Sequence, residues 1–140
     1  MTRTVGLGSL ALLLSAPLAA AVAGGPTEGD GVQAAQAWVK LLDDGQYGAS
    51  WDRAAALFKA AISRADWEKK AASARAPLGK VLSRKLASSQ LAHALPGAPD
   101  GTYVIVLYDT QFEHKAQARE TVTVALDSGE RFRGAGYFIH

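Results

Sequence analysis

Thr102-Tyr103-Val104-Ile105-Val106-Leu107-Tyr108-Asp109-Thr110-Gln111-Phe112 is the stretch on which the fold class turns. It holds no glycine or proline, and β-branched and aromatic residues dominate it. Both alternating sets are apolar: Tyr103, Ile105 and Leu107 on one side, Val104, Val106 and Tyr108 on the other. A run of this kind predicts a strand covered on both faces and central in its sheet. Working outward, residues 81–88 also alternate with period 2, with Leu82, Arg84 and Leu86 opposite Val81, Ser83, Lys85 and Ala87. Residues 91–95 read equally as strand or loop. Pro96-Gly97 and Pro99-Asp100-Gly101 supply turns before the central strand. Beyond it, a polar loop around His114-Lys115 leads to a third strand over 118–126. Asp127-Ser128-Gly129-Glu130 then makes a hairpin into a fourth strand over 131–139.

Upstream of residue 80 the period is 3.6 instead of 2, which marks helices. Asp30 is the expected N-cap of a first helix carrying Ala35, Trp38, Val39 and Leu42 on one face and ending at Asp43-Asp44-Gly45. A second helix is predicted over 47–62, because Tyr47, Trp51, Ala55, Phe58 and Ile62 recur at helical spacing. Ser63 followed by Asp66 opens a third, with Trp67, Ala71 and Ala74 on one face, and Pro77 and Gly79 close it. About three N-terminal helices followed by four antiparallel strands define an α+β domain, a curved, cone-like sheet over helices. Phe132, Gly134, Gly136 and Phe138 fall on one side of the last strand. The two glycines there would let the sheet bend or let a bulky helix side chain approach the backbone, and Trp38, Trp51 and Trp67 are the bodies available to fill the concavity.

The N-terminus has a different character. Arg3 precedes an apolar run from Val5 to Val22 that contains no acidic residue and ends in Ala21-Val22-Ala23. Small residues at those positions fit a signal peptidase, so residues 1–23 are expected to be a cleaved signal peptide. Gly6, Gly8, Ser9, Ser15 and Pro17 interrupt the run too often for a membrane anchor. Residues 24–30 follow as a flexible leader, and residues 31–140 as a single domain. Without Arg3, 14 basic residues face 13 acidic ones. That balance argues against a nucleic-acid partner, which would need a basic excess on one face. The chain has no cysteine, so neither a lipid anchor nor a disulfide is available. The expected location is the periplasm or the exterior.

The residues also carry a family resemblance. Ala37-Trp38 with Leu42-Asp43, Tyr47 with Ser50-Trp51, Phe58, Trp67, Arg75-Ala76-Pro77-Leu78-Gly79, Arg84 and Leu95-Pro96-Gly97 stand in a distinctive order. They continue with Pro99-Asp100-Gly101-Thr102-Tyr103, Phe112, Glu120-Thr121-Val122 and Gly134-Ala135-Gly136-Tyr137. Together these resemble the short exported bacterial proteins of domain-of-unknown-function family 4019. Phe132 stands where that pattern leads one to expect tryptophan. The resemblance implies export and fold, and it brings no activity. The order of helices and curved sheet is also similar to the nuclear transport factor two-like cone folds, which include both pocket enzymes and binding modules.

The candidate functional residues are charges that strand alternation turns inward. Glu120 shares its side with Val122, Val124 and Leu126, and Arg84 shares its side with Leu82 and Leu86. The plainer expectation is an ion pair of Glu120 with Arg84 or Arg75, since either charge buried alone costs several kcal/mol, on the order of 3–5. The sharper one is a pocket in which these charges hold a polar ligand group. There Glu120 could act as general base while Arg84 or Arg75 orients an anionic substrate. Tyr47, Trp51 and Tyr137 could line such a pocket or simply form core. Asp43-Asp44 beside Gly45 reads as a solvated helix end. His93, His114 and His140 show no metal-ligand spacing, so no metal or cofactor is expected. The functional expectation is a non-catalytic exported module that binds a small molecule or another envelope protein, with a small pocket enzyme as the alternative. Either edge strand could also accept a partner strand or a second copy of the chain.

Overall fold

The computed structural model describes residues 24–140; the signal-peptide reading of residues 1–23 lies outside them. Among the described residues the order is α1 (Glu28–Asp43), α2 (Tyr47–Asp52), α3 (Ala56–Ala61), α4 (Arg64–Arg75), a 3-10 turn (Ala76–Leu78), β1 (Val81–Ala92), β2 (Tyr103–Phe112), β3 (Lys115–Asp127) and β4 (Arg131–Ile139). The strands form one antiparallel sheet in the order β1-β2-β3-β4, with the helices packed against it, as the change of period implied. β2 and β3 are the central pair.

Helix α1 starts one turn earlier than expected. Thr27 is its N-cap and Asp30 the third helical residue of a reciprocal capping box, the Thr27 hydroxyl accepting from Asp30 N and the Asp30 carboxylate from Thr27 N. Three residues read as leader therefore belong to the helix. One of them, Glu28, accepts hydrogen bonds from Ser89 Oγ and Leu91 N and ties the helix start to β1. That tie accompanies the extension of β1 to Ala92, past the predicted end at 88.

The helix predicted over 47–62 is two helices. At Ala55 the backbone turns extended, its N–H donates to Gly134 O at 2.8 Å, and Ala56 N donates to the Asp127 carboxylate at 3.0 Å. Bonds to β4 and to the β3–β4 hairpin replace two intrahelical ones. Phe58 still reaches the core, and Trp51 and Ile62 pack against it, so the apolar spacing is honoured without a continuous helix. Ser63 caps α4 as predicted, accepting from Asp66 N at 3.2 Å. The polar turn between β2 and β3 is tighter than expected, with Phe112 already paired to Lys115.

The core fills the space between helices and sheet. Trp38 and Trp67 stack at 6.0 Å, and Phe58 meets both edge-on at 5.8 and 4.9 Å. Their indole N–H groups converge on Ser50, Trp38 donating to its carbonyl and Trp67 to its hydroxyl, each at 2.8 Å. Trp51 stays at the rim and donates instead to Ile62 O.

All three strand pairs carry register shifts, the irregularities that bend a sheet. The one in β4 corrects the sequence reading. Gly134 pairs with Val124 and Gly136 with Thr123, so Ala135 is the extra residue. Phe132 and Gly134 face the helices, whereas Gly136 and Phe138 face away. One inserted residue moves Tyr137 from the outer face to the inner one.

Candidate functional site

The inward charges meet at one end of the sheet, under the C-terminus of α1. Glu120 on β3 is completely buried, opposite Tyr108 on β2 and Ile139 on β4. Its Oε1 accepts from Arg84 Nε at 2.7 Å and from Thr110 Oγ1 at 2.5 Å. Its Oε2 accepts from Arg84 Nη2 at 3.1 Å and from the Tyr137 hydroxyl. Arg84 also grips Asp43, with Nη1 to Oδ2 at 2.7 Å and Nη2 to Oδ1 at 2.9 Å. Arg75, at the end of α4 and 4 % exposed, donates to Asp43 Oδ1 at 2.7 Å and to the Tyr137 oxygen at 3.5 Å. Its guanidinium lies 5.0 Å from the Phe112 ring centroid and 6.0 Å from that of Tyr137.

Two arginines thus face two carboxylates, and the cluster is neutral. Among the six candidates, Glu120, Arg84, Arg75 and Tyr137 come together. Tyr47 and Trp51 do not; both pack against the tryptophan core. Two members escaped the sequence reading. Thr110 is a small polar residue whose inward position follows from alternation with Tyr108 and Phe112. Asp43, read as a solvated helix end, is the hinge between the arginines; its place in the last turn beside Leu42 was the available signal.

The surroundings set the protonation states. Burial works to raise the Asp43 carboxyl, but hydrogen bonds and charge from Arg84 and Arg75 outweigh it and hold it below the usual carboxylate range. Burial likewise opposes the charge on Arg84, yet Asp43 and Glu120 keep its affinity for protons above the ordinary value. Tyr137 moves the other way: burial first, then the Glu120 charge, push its phenol well above its ordinary 10.0. Stability follows by linkage. A carboxylate with a depressed value stabilises the fold above its unfolded pKa and loses that contribution as pH falls through the folded value. Thermal melts should therefore show the midpoint dropping below about pH 4, and Asp43→Asn should flatten that acid limb. The neutral Tyr137 phenol contributes fully below its unfolded value, and its contribution is lost as pH rises beyond about 10 toward the folded value.

Chemically the site is closed. A general base must reach a substrate proton, and Glu120 has no exposed surface and four donors on its two oxygens. The solvent-connected position that the enzyme alternative requires is absent at this residue. Asp43 and Arg84, at the outer end of the network, border an open cleft of about 350 Å³, together with Gln36, Val39, Lys40, Leu86 and Tyr108. Tyr137 borders a second, more apolar groove of about 390 Å³ with Trp67, Ala74, Leu78 and Phe138. No group of three or more metal-ligating side chains occurs among the described residues.

The fold and this network define a small α+β domain braced internally by a neutral ion cluster. The chain belongs to the family described as Protein of unknown function (DUF4019), whose model matches residues 34–137. That span includes every residue of the network. No curated protein and no solved structure matches the chain, so the likeness to nuclear transport factor two-like folds is one of element order alone.

Proposed function

We propose that this protein is an exported, non-catalytic module that binds a small molecule in a surface cleft, with its buried charges serving the fold. The observation that carries this reading is the sealed Glu120, whose acceptors are all engaged inside a neutral cluster. The space under the sheet, where a cone-fold ligand would sit, is taken by Trp38, Phe58 and Trp67. Recognition therefore falls to the clefts on the outside. A second reading, docking on another envelope protein, draws on Phe138, a residue 64 % exposed beside the 390 Å³ groove. Export rests on the composition of residues 1–23.

Two measurements test this. N-terminal sequencing of protein recovered from the extracytoplasmic fraction should begin near Gly24, within about three residues. An intact Met1 in that fraction, or protein found only in the cytoplasm, overturns the export reading. Native mass spectrometry of the same protein, before and after denaturation and refolding, should show an added mass of small-molecule size that refolding removes. A bare mass in both samples, with a second polypeptide in co-purification, favours the envelope-protein reading.

A further inference from the structure

Arginine usage divides sharply. Arg64, Arg75, Arg84 and Arg119 each hold a carboxylate at 3.0 Å or less. Arg53 and Arg131 hold none among the described residues, and Arg133 makes only a loose 4.0 Å approach to Asp127. That aspartate is already occupied, its oxygens accepting from Ala56 N and Ser128 N. These three less committed arginines line one cleft of about 210 Å³ between α1 and β4. Its remaining lining is apolar or backbone: Ala34, Ala37, Trp38 and Leu41 from α1, Phe132 and Gly134 from β4. No acidic residue lines it.

The geometry points to a binding site for a small amphiphilic anion, a phosphate or carboxylate head on a short aliphatic body. Guanidinium groups present paired N–H donors that match either oxyanion. They come from two elements, the end of α2 and two alternate residues of β4, so donors can approach a head group at the cleft from more than one side. The apolar floor supplies what a free inorganic anion cannot use. The volume sets the size: it is below the 300–1,000 Å³ typical of drug-sized ligands and suits a head group with a few carbons. Arg53 and Arg131 are exposed, so they can be changed without opening the core. This inference rests on the surface-binding reading above and names its ligand class.

Titration calorimetry on the mature protein at low salt tests it, with hexyl phosphate and heptanoate as probes and inorganic phosphate and hexanol as controls. Hexyl phosphate or heptanoate should bind at least tenfold more tightly than both controls, the better of the two identifying the head group, and binding should weaken as salt screens the arginines. The double variant Arg53→Gln/Arg131→Gln should lose tenfold or more with an unchanged melting temperature. Ala37→Phe, which fills the cleft from an exposed helical position and keeps all three arginines, should lose binding equally. Equal affinity for inorganic phosphate or for hexanol overturns the proposal, as does undiminished binding in both variants. If neither amphiphile binds while the native protein still carries a removable small-molecule mass, this site is wrong and the module reading stands. If the amphiphiles bind with the stated dependence and no native mass is found, the site is right.

Discussion

Glu120→Gln should lower the thermal midpoint by about 10 °C and leave ligand binding at the surface intact. Glutamine preserves the shape and removes the charge, and its amide can offer only one oxygen where the carboxylate offered two. Four donor contacts converge there: Arg84 Nε and Nη2 and the hydroxyls of Thr110 and Tyr137. The hydroxyls can turn and accept from an amide, but a guanidinium cannot. Arg84 then keeps Asp43, shared with Arg75, as its one anionic partner, and the cluster carries an uncompensated positive charge. Breaking a buried pair by removing one partner costs about 3–5 kcal/mol. Arg84 retains one partner and is 16 % exposed, which places the loss near the low end of that range. A domain of this size shifts by about 3–5 °C per kcal/mol. Melting curves run beside a ligand titration check both halves of the expectation, and an unchanged midpoint with lost binding would make the pair functional instead. Glu120→Met combined with Arg84→Met should recover only part of the loss: replacing both charges by apolar groups of similar volume removes the desolvation cost together with the attraction, but the Thr110 and Tyr137 hydroxyls lose their shared acceptor.

The sequence discloses this cluster only in part, for reasons of geometry. Glu120 and Arg84 stood out because a period of 2 aligns each with apolar residues of its own strand, and the sheet does pair their strands with β2 between them. Val122 and Val124 beside Glu120 are core, but Leu82 and Leu86 beside Arg84 are exposed, so Arg84 is drawn in by its carboxylate partners and not by an apolar face. Asp43 stayed hidden because Asp-Asp-Gly at a helix end has the composition of a solvated terminus; only the packing of α1 over the sheet brings it to the arginines. Tyr137 was named as a possible pocket residue, yet strict alternation puts it on the face opposite Phe132 and Gly134. The extra residue at Ala135 reverses that; the glycines on either side of it allow a bend, but their spacing alone does not place an extra residue between them. The broken helix between Asp52 and Ala56 has a similar cause. Its apolar residues are those a continuous helix would need, while the break answers to hydrogen bonds that Ala55 N and Ala56 N donate to the Gly134 carbonyl and the Asp127 carboxylate, roughly eighty and seventy residues away along the chain. The fold class depended on none of these tertiary details, since it follows from where the hydrophobic period changes.

Gly134→Ala should cost about 3 kcal/mol, at the upper end of ordinary overpacking, although it adds a single methyl to a strand. A Cβ at this position would lie 2.1 Å from Trp38 Cε2 and 2.2 Å from Cδ2, inside the ring's own volume. The indole is not free to yield. It stacks on Trp67, meets Phe58 edge-on and donates to Ser50 O. Nor can β4 retreat without loss, because the Gly134 carbonyl holds Ala55 N at the break between α2 and α3. Either movement sacrifices contacts on both sides of the core. Trp38→Ala alone is also destabilising, since it empties the core of the indole and leaves the buried Ser50 carbonyl without that donor, but it removes the atoms in conflict. The double variant should therefore cost less than the sum of its parts by about 1 kcal/mol or more in urea unfolding, the signature of a direct contact. Gly136→Ala is the internal control: its Cβ would face the outer side, with nothing nearer than Thr123 at 3.7 Å, and its cost should stay within about 0.5 kcal/mol. If the two glycines share one face, as simple alternation assigns them, both substitutions should be costly. A large penalty at Gly134 with almost none at Gly136 is the pattern that requires the bulge between them, and with it the inward turn of Tyr137 onto Glu120.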